Sequence, residues 1–537
     1  MQGLIMDFEL TIPVMLRRAE QLFGSQEIVT RLPDKSLHRY TYADFIPRAR
    51  RLGRALADLG MGRGDRVGTL AWNHYQHLEA YLGIPAFGGV THTLNLRLHP
   101  TDLGYIAKHG GDKLLIVDES LLPLAQSFLG ETDIEQVIVI GEAPEGMLSY
   151  EELIAGTDDP GDYPELEERD AAAMCYTSGT TGHPKGALYS HRAIFLHTLV
   201  ATMSGVLSIG EADTVLPVVP MFHANAWGFP FSCTMVGAKQ VFPGPHLDPP
   251  SLLELFQDER VTITGGVPTI WLGILQLLDQ QPDAYDLSNV RAMIVGGAAA
   301  PRSLIEGFQE RHGLNVLHAW GMTEMAPLGT TAHLPPDLLE ASDEEQYAYR
   351  AKQGRPAPLV EIRARGEEGI APWDGQTMGE LEVRGPWISS SYYDAPEAAD
   401  RWTDDGWFKT GDVVTIDARG CIEIQDRSKD LVKSGGEWIS SVALENALMG
   451  HPAVAEAAVI AVPDERWSER PLAVCVLREG ESATGDELRE HLAASFASFQ
   501  LPERFEFVDE IPKTAVGKFK KTALREQFAH EQTPASG

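Results

Sequence analysis

Cysteine is scarce in this chain: Cys175, Cys233, Cys421 and Cys475 are the only four in 537 residues. They are far apart and form no C-x-x-C pair, so the sequence carries no disulfide framework, zinc ribbon or redox motif. Four separate buried thiols in a reducing cytoplasm are expected. Positive charge is also short, with 44 Lys and Arg against 77 Asp and Glu and a net charge of −33. That balance argues against a nucleic-acid partner, which needs a basic stripe to neutralise phosphates. It argues equally against docking on anionic lipid. No apolar run approaches the ~18 residues of a transmembrane segment, and Asp7 and Glu9 precede the first basic residue, unlike a secretory leader. Neither a G-x-S-x-G elbow nor an H-E-x-x-H pair is present, which disfavours an α/β-hydrolase and a zincin.

What is present is an ordinary globular composition, 43% hydrophobic and 23% charged. The length exceeds what one core of about 250–300 residues supports, so more than one domain is expected. Phe45, Ala49, Leu52, Leu56 and Leu59 recur at helical spacing and predict a helix over 42–59. Thr41 and Asp44 suit a capping box at its start, and the glycines at 60, 62 and 64 read as a turn rather than a dinucleotide loop. Short uncharged runs at 67–72, 114–117, 137–140, 172–176, 215–219, 240–242, 292–295 and 316–319 read as strands covered on both faces. Alternation of such strands with helix-length segments predicts an α/β fold with mixed, mostly parallel sheets. After about Pro356 shorter strands and glycine turns take over, with a hairpin at 417–420. A charged stretch, Asp426 to Asp430 (DRSKD), precedes about 110 residues with apolar segments at 457–462, 472–477 and 505–508. A large domain, 1–427, and a small mobile α+β domain, 428–537, are expected.

The densest chemical signal is Tyr176 to Gly186 (YTSGTTGHPKG), with four aliphatic hydroxyls, three glycines and Lys185. It follows a predicted strand and comes before a helical segment expected from about Ala193. Glycines let the backbone approach a ligand closely. Amides, hydroxyls and a lysine can then wrap phosphate oxygens, although the order is not that of a Walker A loop. Gly296 to Ala300 (GGAAA) leaves room for a ligand after another strand.

Tyr176 to Gly186 resembles the phosphate loop of the adenylate-forming superfamily, which includes acyl-CoA synthetases, peptide-synthetase adenylation domains and beetle luciferases. Trp320 to Glu324 (WGMTE), Thr410 to Asp412 (TGD), Asp426 to Asp430, Lys433 to Glu437 (KSGGE) and Pro512 to Lys518 (PKTAVGK) resemble its remaining signatures, in order. Two positions depart: the aromatic before Gly321 is more often tyrosine, and His183 lies where the family varies.

The resemblance implies roles. Thr177, Ser178, Gly179, Thr180, Thr181, Gly182 and Lys185 would hold the ATP phosphates. Gly297, Ala298, Ala299, Trp320, Gly321 and Met322 would surround the adenine, with Trp320 as a flat face. Asp412 would accept from the ribose hydroxyls, with Arg427 beside it. Glu324, with Thr177, would hold Mg²⁺. Lys518, Glu324, Thr323 and His223 form the implied catalytic group. Lys429 is the implied hinge, and Lys433, Ser434, Gly435, Gly436, Glu437 and Trp438 the implied CoA-channel face. The segment Met221 to Gly228 (MFHANAWG) resembles that of fatty-acyl-CoA synthetases. Trp227 would gate an acyl tunnel, and His223 and Ala298 would meet the acid. Medium- or long-chain fatty acid–CoA ligation follows as the expected activity, with ATP, Mg²⁺ and CoA. Ligation of 3-methylmercaptopropionate or another short or aryl acid, and transfer to a carrier protein, stand as alternatives. A cytoplasmic homodimer is expected.

Overall fold

The computed structural model describes residues 1, 3–177, 183–434, 437–464, 467–513 and 519–528. The helix expected over 42–59 is Tyr42–Asp58. Its first turn is closed by Asp44, whose Oδ2 accepts from Thr41 N at 2.9 Å and Thr41 Oγ1 at 2.7 Å.

All eight runs read as buried strands are strands. Four of them lie in a nine-stranded sheet, where Val316–Gly321, Ala292–Val295, Ile263–Gly266, Thr214–Pro217 and Lys239–Phe242 run parallel in that spatial order, Ile263–Gly266 being the one not read from sequence. Glu27–Arg31 and Leu37–Thr41 extend one edge, and Leu328–Thr331 and Arg355–Pro356 the other. A seven-stranded sheet holds Leu148–Ser149, Gln136–Ile140, Asp112–Asp118, Arg66–Leu70, Val90–Thr93 and Ala171–Tyr176, all parallel, with Gly186–Ser190 antiparallel at its edge. The third sheet is antiparallel and ends on the hairpin Phe408–Ile416 and Ile422–Arg427. Gly420 N donates to Asp417 O at 2.8 Å in its turn, as the 417–420 pattern predicts.

Strands such as Val90–Thr93 and Ile263–Gly266 escape sequence reading because VTHT and ITGG interrupt the apolar run. Their threonines and the histidine are buried all the same. The four cysteines are separate and buried. Among the described residues no helix is long and apolar enough to cross a membrane.

The C-terminal α+β domain has a core of its own. Val432, Leu444, Leu448, Val459, Cys475 and Leu488 pack together, and Ile460, Leu472, Ile511 and Leu524 form a second cluster. Inside it Lys521 Nζ pairs with Glu445 at 2.7 Å and donates to Ser441 Oγ at 2.5 Å. Desolvation pushes the Glu445 carboxyl upward and works against the charged form of Lys521, whose attraction to Glu445 and Asp426 still holds its pKa above the ordinary value. Such a pair adds little net stability when intact but costs several kcal/mol when one partner is removed. Lys521→Met should therefore destabilise the C-terminal domain by about 3 kcal/mol. Limited proteolysis and hydrogen exchange confined to residues 432–528 would register the change.

Candidate active site

The loop 177–185 joins two antiparallel strands, Ala171–Tyr176 and Gly186–Ser190, with Tyr176 opposite Gly186. The sequence placed a helix next after this loop; a five-residue strand comes first, and the helix is His191–Thr202. A run as short as Ala187, Leu188 and Tyr189 carries too little periodicity to be read. The loop is pinched at its base, where Thr177 N donates to Lys185 O at 2.9 Å and Lys185 N to Thr177 Oγ1 at 3.1 Å. Ser178, Gly179, Thr180, Thr181 and Gly182 lie outside the described residues, as do Gly435, Gly436 and Lys518.

Asp412 is the meeting point of three signatures. It is 2% exposed. Its Oδ2 accepts from Trp320 Nε1 at 3.0 Å, and its Oδ1 pairs with Arg427 Nε at 2.7 Å. Arg427 faces Asp412 directly across the hairpin, so strand register makes this contact. Trp320 arrives from the nine-stranded sheet. The indole thus offers more than an apolar face: its N–H orients the carboxylate.

Glu324 and Thr323 follow Gly321 on a short turn, and both are buried. The turn needs glycine at 321, because a Cβ there would sit 1.8 Å from Pro327 O. Glu324 Oε1 accepts from Tyr392 Oη at 2.5 Å, and Thr323 O from Tyr189 Oη at 2.5 Å. Neither tyrosine was singled out from sequence. Tyr189 ties the turn to the strand leaving the phosphate loop. Tyr189 stands alone and Tyr392 precedes Tyr393, both outside the motifs, so no local signal marks them. Among the described residues no cluster of three or more His, Cys, Asp or Glu could hold a metal alone. One buried carboxylate suits Mg²⁺, which takes its other oxygens from phosphate and water.

Gly297 turns the chain with φ +81° after Ala292–Val295, and Ala298 beside it is exposed. Met322 N donates to Pro327 O at 3.1 Å, bracing the same turn. His223 and Thr177 line one small cavity with Thr93, Asn95, Tyr176 and Phe222. His223 and the base of the 177–185 loop therefore face a common space. The Trp227 indole lies across two glycines: a Cβ on Gly296 would be 3.1 Å from its Cη2, and one on Gly265 3.6 Å from its Cε3. Lys433, Ser434, Glu437 and Trp438 fall on the hairpin Val432–Ser434 and Glu437–Ile439. There Lys433 Nζ lies 4.9 Å from the Trp438 ring centre, and Ser434 Oγ accepts from Arg470 at 3.1 Å. Lys429 is exposed on the turn that follows the strand Ile422–Arg427.

The AMP-binding enzyme family matches residues 17–393, and its C-terminal domain matches residues 443–518. The chain belongs to the AMP-binding enzyme family. A long-chain-fatty-acid–CoA ligase of Thermus thermophilus is 51% identical over 98% of this chain and 96% of its own length. A 3-methylmercaptopropionyl-CoA ligase of Ruegeria lacuscaerulensis is 43% identical over 98% and 99%. The crystal structure of the anthranilate CoA ligase AuaEII with anthranoyl-AMP superposes with TM-score 0.87 at 26% identity, covering 98% and 99%.

The Asp412 contacts generate a test. Trp320→Phe keeps an aromatic face but removes the indole donor. It should raise KM for ATP about tenfold, the worth of a hydrogen bond to a charged group, with KM for the acid unchanged. Equal changes in both constants would reduce Trp320 to packing.

Proposed function

We propose that this enzyme ligates a medium- or long-chain fatty acid to CoA with ATP, through an acyl-adenylate. The observation that carries the reading is the 51% identity, across nearly both lengths, to a relative whose name is long-chain-fatty-acid–CoA ligase. The half-buried Trp227 lying over Gly265 and Gly296 supports an apolar acyl site.

In the first step an acid carboxylate oxygen attacks the α-phosphorus of ATP. A P–O bond to that oxygen forms, the bond to the β-phosphate bridging oxygen breaks, and pyrophosphate leaves. Thr177 and Lys185 hold the phosphates, Asp412 takes the ribose hydroxyls, and Trp320 and the Gly297 to Ala299 turn enclose the base. Glu324 and Thr177 hold Mg²⁺, which when bound offsets phosphate charge. Lys518 stabilises negative charge developing on the reacting oxygens. In the second step the CoA thiol, losing its proton, attacks the acyl carbonyl, and AMP leaves. We place the domain boundary at residue 427, with Lys429 as the hinge. Rotation there exchanges Lys518 for the face carrying Lys433, Ser434, Glu437 and Trp438, so that one site serves both steps.

The 43% identity to a 3-methylmercaptopropionyl-CoA ligase favours a second reading, a short thioether acid in the same pocket. CoA-dependent AMP release across acids of increasing length separates the two, with the maximum expected at a medium or long chain. A maximum at methylmercaptopropionate selects the second reading, and AMP release at the same rate without CoA rejects both. Lys518→Ala should slow adenylation by orders of magnitude and spare thioester formation from supplied acyl-adenylate. Equal loss in both half-reactions would reject the rotation.

We also place the enzyme in the cytoplasm as a homodimer. Leu4, Ile5, Met6 and Phe8 stand exposed by 64–98%, a run of apolar side chains suited to a second copy of the chain. Replacing Leu4, Ile5 and Met6 with serine should convert the dimer to monomer in sedimentation. A monomeric parent would overturn that assignment.

A further inference from the structure

We propose that Asn225 is a positioning residue for the acid, and that Cys175 holds it. Together they lock the turn that sets Trp227 across the acyl site. The inference rests on the fatty acid–CoA ligase reading and adds to it a determinant of acid selection.

The turn is unusual in its backbone. Ala224, Asn225, Ala226, Trp227 and Gly228 have φ values of 42°, 52°, 48°, 54° and 80° in succession. This is a full turn of left-handed conformation, which L-residues disfavour and normally enter singly. Asn225 and Gly228 tolerate it; two alanines and a tryptophan have no intrinsic reason to adopt it. Such a segment persists only where its surroundings over-determine it, and it then marks a functional site.

The surroundings do so from both ends. Upstream, Asn73 Nδ2 donates to Pro217 O at 3.1 Å and Val219 O at 2.9 Å, while its Oδ1 accepts from Met221 N at 2.7 Å. Thr93 Oγ1 donates to Phe222 O at 3.2 Å. Downstream, Gly228 backs onto His197, whose Cε1 would lie 2.6 Å from a Cβ there. At the centre, Asn225 is 2% exposed and its Oδ1 accepts from Cys175 Sγ at 3.2 Å. Burial pushes the Cys175 thiol up, so it stays protonated and remains a donor.

Cys175 is also two residues before Thr177, on the strand that ends in the phosphate loop. Thr93 sits beside it in register on the neighbouring strand. The indole is thereby referenced to the same strand that positions the phosphate loop. Acid and nucleotide are aligned through one thiol–carboxamide contact rather than by two independent loops.

Five variants test this in the full-length enzyme, Trp227→Ala serving as the reference for loss of the indole, with KM for the acid, KM for ATP, chain-length profile and Tm as readouts. Asn225→Gly keeps left-handed freedom but loses the acceptor, and Asn225→Ala loses both. Cys175→Ala loses the donor, and Cys175→Ser keeps it. Asn225→Gly and Cys175→Ala should each raise KM for the preferred acid about five- to tenfold, the worth of one buried hydrogen bond. Both should shift the chain-length profile in the direction Trp227→Ala shifts it, leave KM for ATP unchanged, and see Cys175→Ser restore the parent profile. Parent-like profiles in Asn225→Gly and Cys175→Ala overturn the proposal. So does a parallel rise of both KM values with a lowered Tm, which would make the contact merely structural. Should Asn225→Ala fail to fold, the cysteine pair decides alone. A parent enzyme that forms no acyl-CoA with any acid instead overturns the ligase reading beneath it.

Discussion

The site is organised around one buried carboxylate. Removing Asp412 from water is costly unless charge and hydrogen bonds compensate it. Its compensation comes from Trp320 of one sheet and Arg427 of another. The carboxylate therefore fastens the two sheets at the point where three motifs from distant parts of the chain meet. An ionised carboxylate offers about four acceptor positions. Two are used within the protein, which leaves acceptor capacity for the ribose hydroxyls of the proposed nucleotide without breaking the fastening. The requirement for a charged acceptor and the requirement for a fixed one are met by the same residue.

The net charge of −33 takes on a local meaning against this background. Residues 513–525 hold five basic side chains and no acid, which invites the idea of a cationic platform around Lys518. Three of its four described members are paired, and Lys520 is exposed. Lys513 pairs with Glu456 at 2.6 Å, Lys521 with Glu445 at 2.7 Å, and Arg525 with Asp430 at 2.5 Å. Those cations build the C-terminal domain. At physiological salt, charges beyond a Debye length of about 8 Å are screened, so amides, hydroxyls and single cations at the site decide whether a polyanion binds, not the total.

Much of this was legible in the sequence, and the limits have physical causes. Strands such as Ala292–Val295 and Asp112–Asp118 declare themselves because both faces are covered and the run is apolar. The Tyr42–Asp58 helix declares itself through period and cap. The motifs gave Asp412, Trp320 and Glu324 as candidates, since a glycine-flanked acid or aromatic in fixed order is a local pattern. Tyr189, Tyr392, Asn73 and Asn225 could not be found that way. Each acts through a contact to a segment far away in the chain, and nothing in its own neighbourhood records the partner. The strand Gly186–Ser190 was missed for a different reason. Five residues at a sheet edge are too few for a period, so the hairpin nature of the phosphate loop appears only when Tyr176 and Gly186 are seen in register.

The same distinction bears on how the two domains are held. Asp426 is buried, with Oδ2 accepting from Ser441 N at 2.7 Å at the start of the helix Ser441–Met449. With Lys429 as the proposed pivot, this bond crosses the hinge and must break on rotation. Asp430 and Arg525 lie on one side of the pivot and travel together. Burial already pushes the Asp426 carboxyl above its ordinary value despite nearby Lys521. The orientation described is held in part by this desolvated acid, and Ser440 Oγ donates to Gln425 O across the same segment. Arg427, adjacent to it, pairs with Asp412. The residue paired with Asp412 and the residue bonded to Ser441 are therefore neighbours on one strand.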